Sequence, residues 1–269
     1  MHVWGNLQRV YNTSMKYDLR VPIQSGNLLE VVQDVPEKGM RFPTVLLVPG
    51  FGMDLHESGY FDQASDILVR NGFQTFRFSF SGTGKSQGNF VDMTLTKQAD
   101  ELREVLKSIK TDRFTNPRKI GILAQSFGSV AAIAAQPLAG IKSYVFTSAP
   151  ADPYQSLEKW FKRQRGYNPE GISEIERTDK RITRVGREFW QNLKQHDLSK
   201  QMQHIKEPIK LIYGGKDIRI KPWEFQDLYV HASGRKNLVV VEKSNHAFTG
   251  KARPVVLALI AEWFNETLR

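Results

Sequence analysis

Eight short apolar runs separated by helix-patterned stretches constrain this 269-residue chain more than any other feature. The runs lie at 16–23, 28–33, 44–49, 74–80, 119–125, 143–148, 209–213 and 237–242, and they are rich in Val, Ile, Leu and Phe. Several are apolar at nearly every position, the pattern of strands buried on both faces. Helical spacing fills the intervals 61–70, 94–110, 127–136, 223–231 and 254–267, the last with Pro254 in its first turn, where proline is tolerated. Two leading strands followed by repeated strand–helix units predict an α/β chain with a doubly wound, mostly parallel eight-stranded sheet. The length suits one core rather than two.

One interval breaks this rhythm. Between 152 and 208 no strand pattern is visible, and Leu157, Trp160 and Phe161, then Ile182, Val185, Phe189, Trp190 and Leu193, recur at helical spacing. The expected organisation is therefore a core domain formed by 1–151 and 209–269, interrupted by a helical cap insertion at 152–208. An insertion there sits over the C-terminal ends of the strands, where open α/β sheets bind ligands.

The run at 119–125 leads into the helical stretch at 127–136 through Ala124-Gln125-Ser126-Phe127-Gly128. A serine exposed on a sharp strand-to-helix turn needs small residues two places before and after it, because two backbones approach closely there. Ala124 and Gly128 meet that need, and the following helix N-terminus favours developing negative charge. Alternatively, Ser126 merely caps the helix. A serine nucleophile requires a base, and the base an orienting acid. Asp217 follows the run at 209–213, and His246 follows the run at 237–242, each on a loop after a strand. The order along the chain is nucleophile, acid, base, the order found in known folds that carry such a serine turn. The other histidines fit less well: His2 precedes the domain, His196 and His204 belong to the insertion, and His231 ends a helix. His56, in a loop, is placed to contact substrate.

A tetrahedral intermediate needs backbone N–H donors, each worth about 3–4 kcal/mol where one has been removed in well-studied enzymes. Phe127, next to the nucleophile, supplies one. Phe51, in the Gly50-Phe51-Gly52 turn after the third run, supplies the other. The segment Ser81-Gly82-Thr83-Gly84-Lys85-Ser86 imitates a phosphate-binding loop, but that motif demands Gly at position 79, which is Ser, and a helix start where Gln87-Gly88-Asn89-Phe90 reads as a turn.

Cysteine is absent, which removes disulfides, thiolate metal sites and a cysteine nucleophile. No cofactor and no metal is expected. The formal charge of +10 is scattered, with concentrations only at 159–165 and 177–187, so the nucleic-acid reading lacks its patch or motif. Attraction to anionic substrates or membrane surfaces stays open. No apolar run nears the roughly 20 residues that span a bilayer. Residues 1–5 show no basic region before an apolar one, so a cytoplasmic location is the expectation. The expected partner is a small ester, without nucleic acid and without stable membrane insertion; a homodimer stays open.

Taken in order, Gly50-Phe51-Gly52, Ser81 to Ser86, Ala124 to Gly128, Gly214-Gly215-Lys216-Asp217 and Asn245-His246 resemble the landmarks of the α/β-hydrolase superfamily. The stretch from Gly186-Arg187-Glu188-Phe189-Trp190 through His196-Asp197-Leu198 is similar to the insertion of small carboxylesterases, including cinnamoyl (feruloyl) esterases. Two departures stand out. Relatives carry His-Gly where this chain has Pro49-Gly50, and Asp-x-Arg-Gly-x-Gly-x-Ser where it has Ser79 to Ser86. The resemblance implies hydrolysis of carboxylic esters through an acyl-enzyme on Ser126, with small to medium acyl or aryl-acyl groups, hydroxycinnamoyl among them. Gly50, His56, Trp160, Trp190 and Phe248 are the candidate substrate contacts, beside Phe51, Phe127 and Phe161. Monoacylglycerol lipase, acyl-thioesterase and prolyl-aminopeptidase-like activities stay open, as does a silent binding protein on the same fold.

Overall fold

The computed structural model describes residues 14–177 and 180–269. Residues 1–5, read above for a leader, and His2 lie outside the described residues. In chain order the strands are β1 (Ser14–Pro22), β2 (Leu28–Pro36), β3 (Phe42–Val48), β4 (Gln74–Phe78), β5 (Thr115–Gln125), β6 (Ile141–Thr147), β7 (Ser173–Glu176), β8 (Ile182–Val185), β9 (Ile209–Gly214) and β10 (Lys236–Val241). The helices are α1 (Tyr60–Arg70), α2 (Leu95–Thr111), α3 (Phe127–Ala134), α4 (Pro153–Arg163), α5 (Arg187–Leu193), α6 (Leu198–Met202), α7 (Pro222–His231) and α8 (Ala252–Leu268).

The eight expected strands form one sheet in the order β1-β2-β4-β3-β5-β6-β9-β10. Strand β2 runs antiparallel to β1 and β4, and every other pairing is parallel. Alternation across the pleat explains why β3 and β5 read as unbroken apolar runs. Val45, Leu47 and Leu123 pack on one face with α1 and α8, through Phe61, Leu68, Ile260 and Phe264. Leu46, Val48, Ile122 and Ala124 pack on the other with α2, α3 and residues of the insertion. All eight residues of α3 are buried, so it lies at the centre of that second layer. The one charge inside β4, Arg77, is 2% exposed and paired with Asp34 at 2.8 Å and with Asp62, as a buried cation must be.

The segment 152–208 departs from expectation. It holds three helices, α4 to α6, but also the antiparallel hairpin β7–β8, which pairs Ser173 with Val185 and Ile175 with Thr183. The hairpin escapes notice because its strands have four residues each and its buried face includes Ser173 and Thr183. Polar residues on the inner face erase the alternation by which a strand is recognised. Among the described residues, no helix is long and apolar enough to cross a membrane.

Candidate active site

Strand β5 ends at Gln125 and α3 begins at Phe127, leaving Ser126 alone between them at φ 50° and ψ −117°. A non-glycine residue held there costs on the order of 1–3 kcal/mol and persists only when its surroundings fix it. Its N–H donates to the Thr147 carbonyl at 2.8 Å, and its carbonyl accepts from Ser129 N–H at 3.0 Å. Gly128 is required by close approach. A Cβ there would lie 2.3 Å from the Val48 carbonyl oxygen and 2.6 Å from that of Pro49.

Asp217 and His246 arrive on neighbouring loops, after β9 and after β10. These loops touch at Gly214, where a Cβ would meet the Ser244 carbonyl oxygen at 2.5 Å. The His246 Nδ1 lies 2.7 Å from Asp217 Oδ2, and its Nε2 lies 2.9 Å from Ser126 Oγ. The Asp217 side chain is 2% exposed, and its Oδ1 accepts from the Arg219 and Ile220 N–H groups at 2.8 and 3.1 Å. Burial pushes this carboxyl up. The hydrogen bond and charge of His246, with the two backbone donors, outweigh burial and hold it below its ordinary range. An ionised Asp217 keeps a proton on Nδ1, leaving Nε2 to accept from the serine hydroxyl. The His246 carbonyl is anchored by Gln125 Nε2 and by Ser148 Oγ, both at 3.0 Å. Gln125 is itself fixed by the Thr147 hydroxyl.

The Phe127 N–H is the first of α3 and has no intrahelical acceptor. Among the described residues, neither it nor the Phe51 N–H donates to a protein acceptor. The turn carrying Phe51 is braced from two sides. Gly50 N–H donates to Glu57 Oε2 at 2.7 Å, and Arg177 Nη1 donates to the Phe51 carbonyl at 2.9 Å. Burial pushes the Glu57 carboxyl up to about 7, against the Gly50 N–H and the Arg177 charge. Where relatives carry Asp, Ser79 accepts from Leu55 N–H at 3.0 Å and donates to Glu30 Oε2 at 3.1 Å. Glu30 also accepts from Lys85 N–H at 2.8 Å. A carboxylate thus returns to this loop from β2.

A cavity of about 570 Å³ opens over Ser126. Gly50, Phe51, Ser126, Phe127, Trp160 and His246 reach its wall. His56, Trp190 and Phe248, expected as substrate contacts, do not. The His56 side chain is 52% exposed and bonds Asp62 at 2.9 Å. Trp190 is 1% exposed, stacks edge-on with Phe161 and Tyr167, and donates Nε1 to Ser173 Oγ at 2.9 Å. Phe161 is equally buried. Phe248 packs beneath the loop against Tyr60, in the layer of α1 and α8. Conversely, Gln125, Ser148, Glu57 and Arg177 brace the site without having stood out in the sequence. Gln125 alone carried a signal, sitting inside the serine pentapeptide. Among the described residues, no group of three or more His, Asp or Glu is placed to hold a metal ion.

No family model and no curated protein sequence matches this chain. Solved structures do. Est1E from Butyrivibrio proteoclasticus with ferulic acid bound is 18% identical, covering 92% of this chain and 98% of that one, with a TM-score of 0.78. The alpha/beta hydrolase GrgF from Penicillium sp. sh18 is 15% identical over 94% and 99%, with a TM-score of 0.77. The Pyrococcus furiosus esterase Pf2001 is 19% identical over 100% and 99%, with a TM-score of 0.75. Full-length likeness to these structures, added to the strand order described above, gives this chain the α/β-hydrolase fold.

Proposed function

We propose that this protein is a serine carboxylic-ester hydrolase that works through an acyl-enzyme on small to medium acyl or aryl-acyl esters. The observation that carries the reading is the continuous hydrogen-bonded path from Asp217 through His246 to Ser126 at the floor of an aromatic-walled cavity. Ser126 Oγ attacks the ester carbonyl as its proton passes to His246 Nε2. The carbonyl oxygen takes on negative charge between the Phe51 and Phe127 N–H groups. His246 then protonates the departing alkoxide, and a water activated by the same nitrogen releases the acid. The segment 152–208 acts as a cap in this reading, setting acyl preference through Leu157 and Trp160, which line the cavity. The ferulic acid held by Est1E, a protein of the same fold, supports including aryl-acyl groups.

The test is a series of p-nitrophenyl esters of graded chain length beside methyl ferulate, together with labelling by a fluorophosphonate probe. Turnover of at least one ester, with turnover and labelling both abolished in Ser126→Ala, is expected. Turnover of none of them, or labelling that survives the substitution, defeats the reading.

A further inference from the structure

The cavity over Ser126 is walled by unbalanced charge. Lys159 and Arg163 reach it from α4, Lys216, Arg219 and Lys221 from the segment after β9, and Arg253 from α8. Arg177, already described, is a seventh cation, and Glu57 is the single carboxylate among the lining residues. Elsewhere some of the surface cations are paired. Arg103 pairs with Asp100, Lys107 with Glu104, Lys162 with Glu158, Arg184 with Glu174 and Arg235 with Glu266. Among the described residues, none of the six newly named cations comes within 4.0 Å of a carboxylate. Seven cations against one carboxylate give the lining a formal excess of +6, more than half of the chain's +10.

Two of the arginines also lie on one aromatic ring. The Arg219 guanidinium sits 4.4 Å from the centre of the Trp160 ring, and that of Arg177 sits 5.6 Å from it. Stacking occupies the face of the guanidinium and leaves its edge for the two oxygens of a carboxylate or phosphate. A concave site with cations of one sign and low-dielectric aromatic walls concentrates anions and speeds their arrival.

We propose that the substrate is an anionic ester: it carries a carboxylate or phosphate group, which Arg219 and its neighbours hold while Ser126 attacks the ester carbonyl. The inference rests on the ester-hydrolase reading above and names its substrate class. It adds no chemical step, since the anion is bound and not transformed.

Matched pairs of esters test it. p-Nitrophenyl hemiglutarate against p-nitrophenyl valerate puts the charge on the acyl side. 4-Acetoxybenzoate against 4-acetoxybenzamide, and 4-acetoxyphenyl phosphate against 4-acetoxyanisole, put a carboxylate or a phosphate on the leaving-group side. For at least one pair kcat/KM of the anionic ester exceeds that of its neutral partner by about tenfold or more at about 20 mM salt, and the advantage shrinks at about 0.5 M salt as charges are screened. In Lys216→Gln/Arg219→Gln the same ratio falls, while Arg219→Lys, which keeps the charge but not the two-oxygen edge, falls less, which separates lost charge from lost folding. Ratios at or below one for every pair at both salts, with neutral esters still hydrolysed, overturn the anion site and leave the hydrolase reading standing. Should no ester turn over, calorimetric titration of Ser126→Ala with the same pairs decides. Salt-sensitive preference for the anion sustains the site without the activity, and equal affinity within each pair overturns it.

Discussion

The two sides of the cavity are built by opposite means. On the sheet side, position is set by the backbone. Ser126 is held at an uncommon φ, Gly128 allows α3 to touch the end of β3, and Gly214 lets the Asp217 and His246 loops meet. On the insertion side, position is set by side chains. Trp160 carries two arginine guanidiniums against its ring, and Arg177 reaches from beyond β7 to the Phe51 carbonyl. Backbone geometry serves chemistry that tolerates little displacement, whereas side chains can vary with the ligand. The difference predicts that the sheet side governs kcat and the insertion governs KM.

Gly128→Ala presses hardest on that contrast. Its methyl group would meet two backbone carbonyls, and a peptide cannot swing aside as a long side chain can. Either α3 or the Phe51 turn shifts, and with it one of the two proposed oxyanion donors. The expected loss in kcat is about 10²–10³-fold, with destabilisation of about 1–3 kcal/mol from overpacking. Steady-state kinetics on the best ester and a urea melt measure both. A variant with wild-type kcat breaks the claim that backbone contact fixes this side.

The same contrast explains what the sequence makes legible. β3 and β5 are buried on both faces, so their apolar runs are continuous and their location is evident. Ser126, Asp217 and His246 each directly follow or nearly follow a strand, so topology places them on one edge once the strands are recognised. Aromatic residues of the insertion carry no such guide. On α4 the buried stripe is Pro153, Leu157 and Phe161; Phe161 stays in the core, whereas Trp160, one position before it, lines the cavity together with Pro153 and Leu157. Trp190 has similar surroundings in sequence yet lies on the buried side of α5. A rotation of one residue about a helix axis decides between core and pocket, and periodicity alone does not fix it. Arg177 and Phe51 are 126 residues apart, a contact that only the folded chain reveals.

Trp160→Leu addresses the insertion. The residue is half-buried, lines the cavity and lies outside the buried stripe of α4, with its ring edge-on to Phe51 and Phe161. Losing an aromatic wall costs about 1–1.5 kcal/mol of contact with an aryl substrate, so KM for aryl esters rises about tenfold while kcat moves by less than about threefold. A fall in kcat as large as that of Gly128→Ala would mean that the insertion fixes the reacting geometry too, and the division of labour would fail.

Glu57 stands where the two sides join, accepting from Gly50 while facing Arg177. Burial raises its carboxyl from an ordinary 4.5 to about 7, so between those values the folded protein binds more protons than the unfolded chain. Stability then falls as pH rises through that window, because the slope follows the difference in bound protons. Glu57→Gln keeps an acceptor for the Gly50 N–H and removes the titration. From pH 5 to pH 8 the variant gains stability relative to wild type by an upper limit of about 3 kcal/mol, which urea unfolding at the two values measures. Parallel pH profiles for the two proteins would show that this carboxyl titrates in the fold as it does in the open chain. The Phe51 turn would then be braced by a carboxylate that burial leaves unperturbed, and its rigidity would have to come from the insertion through Arg177.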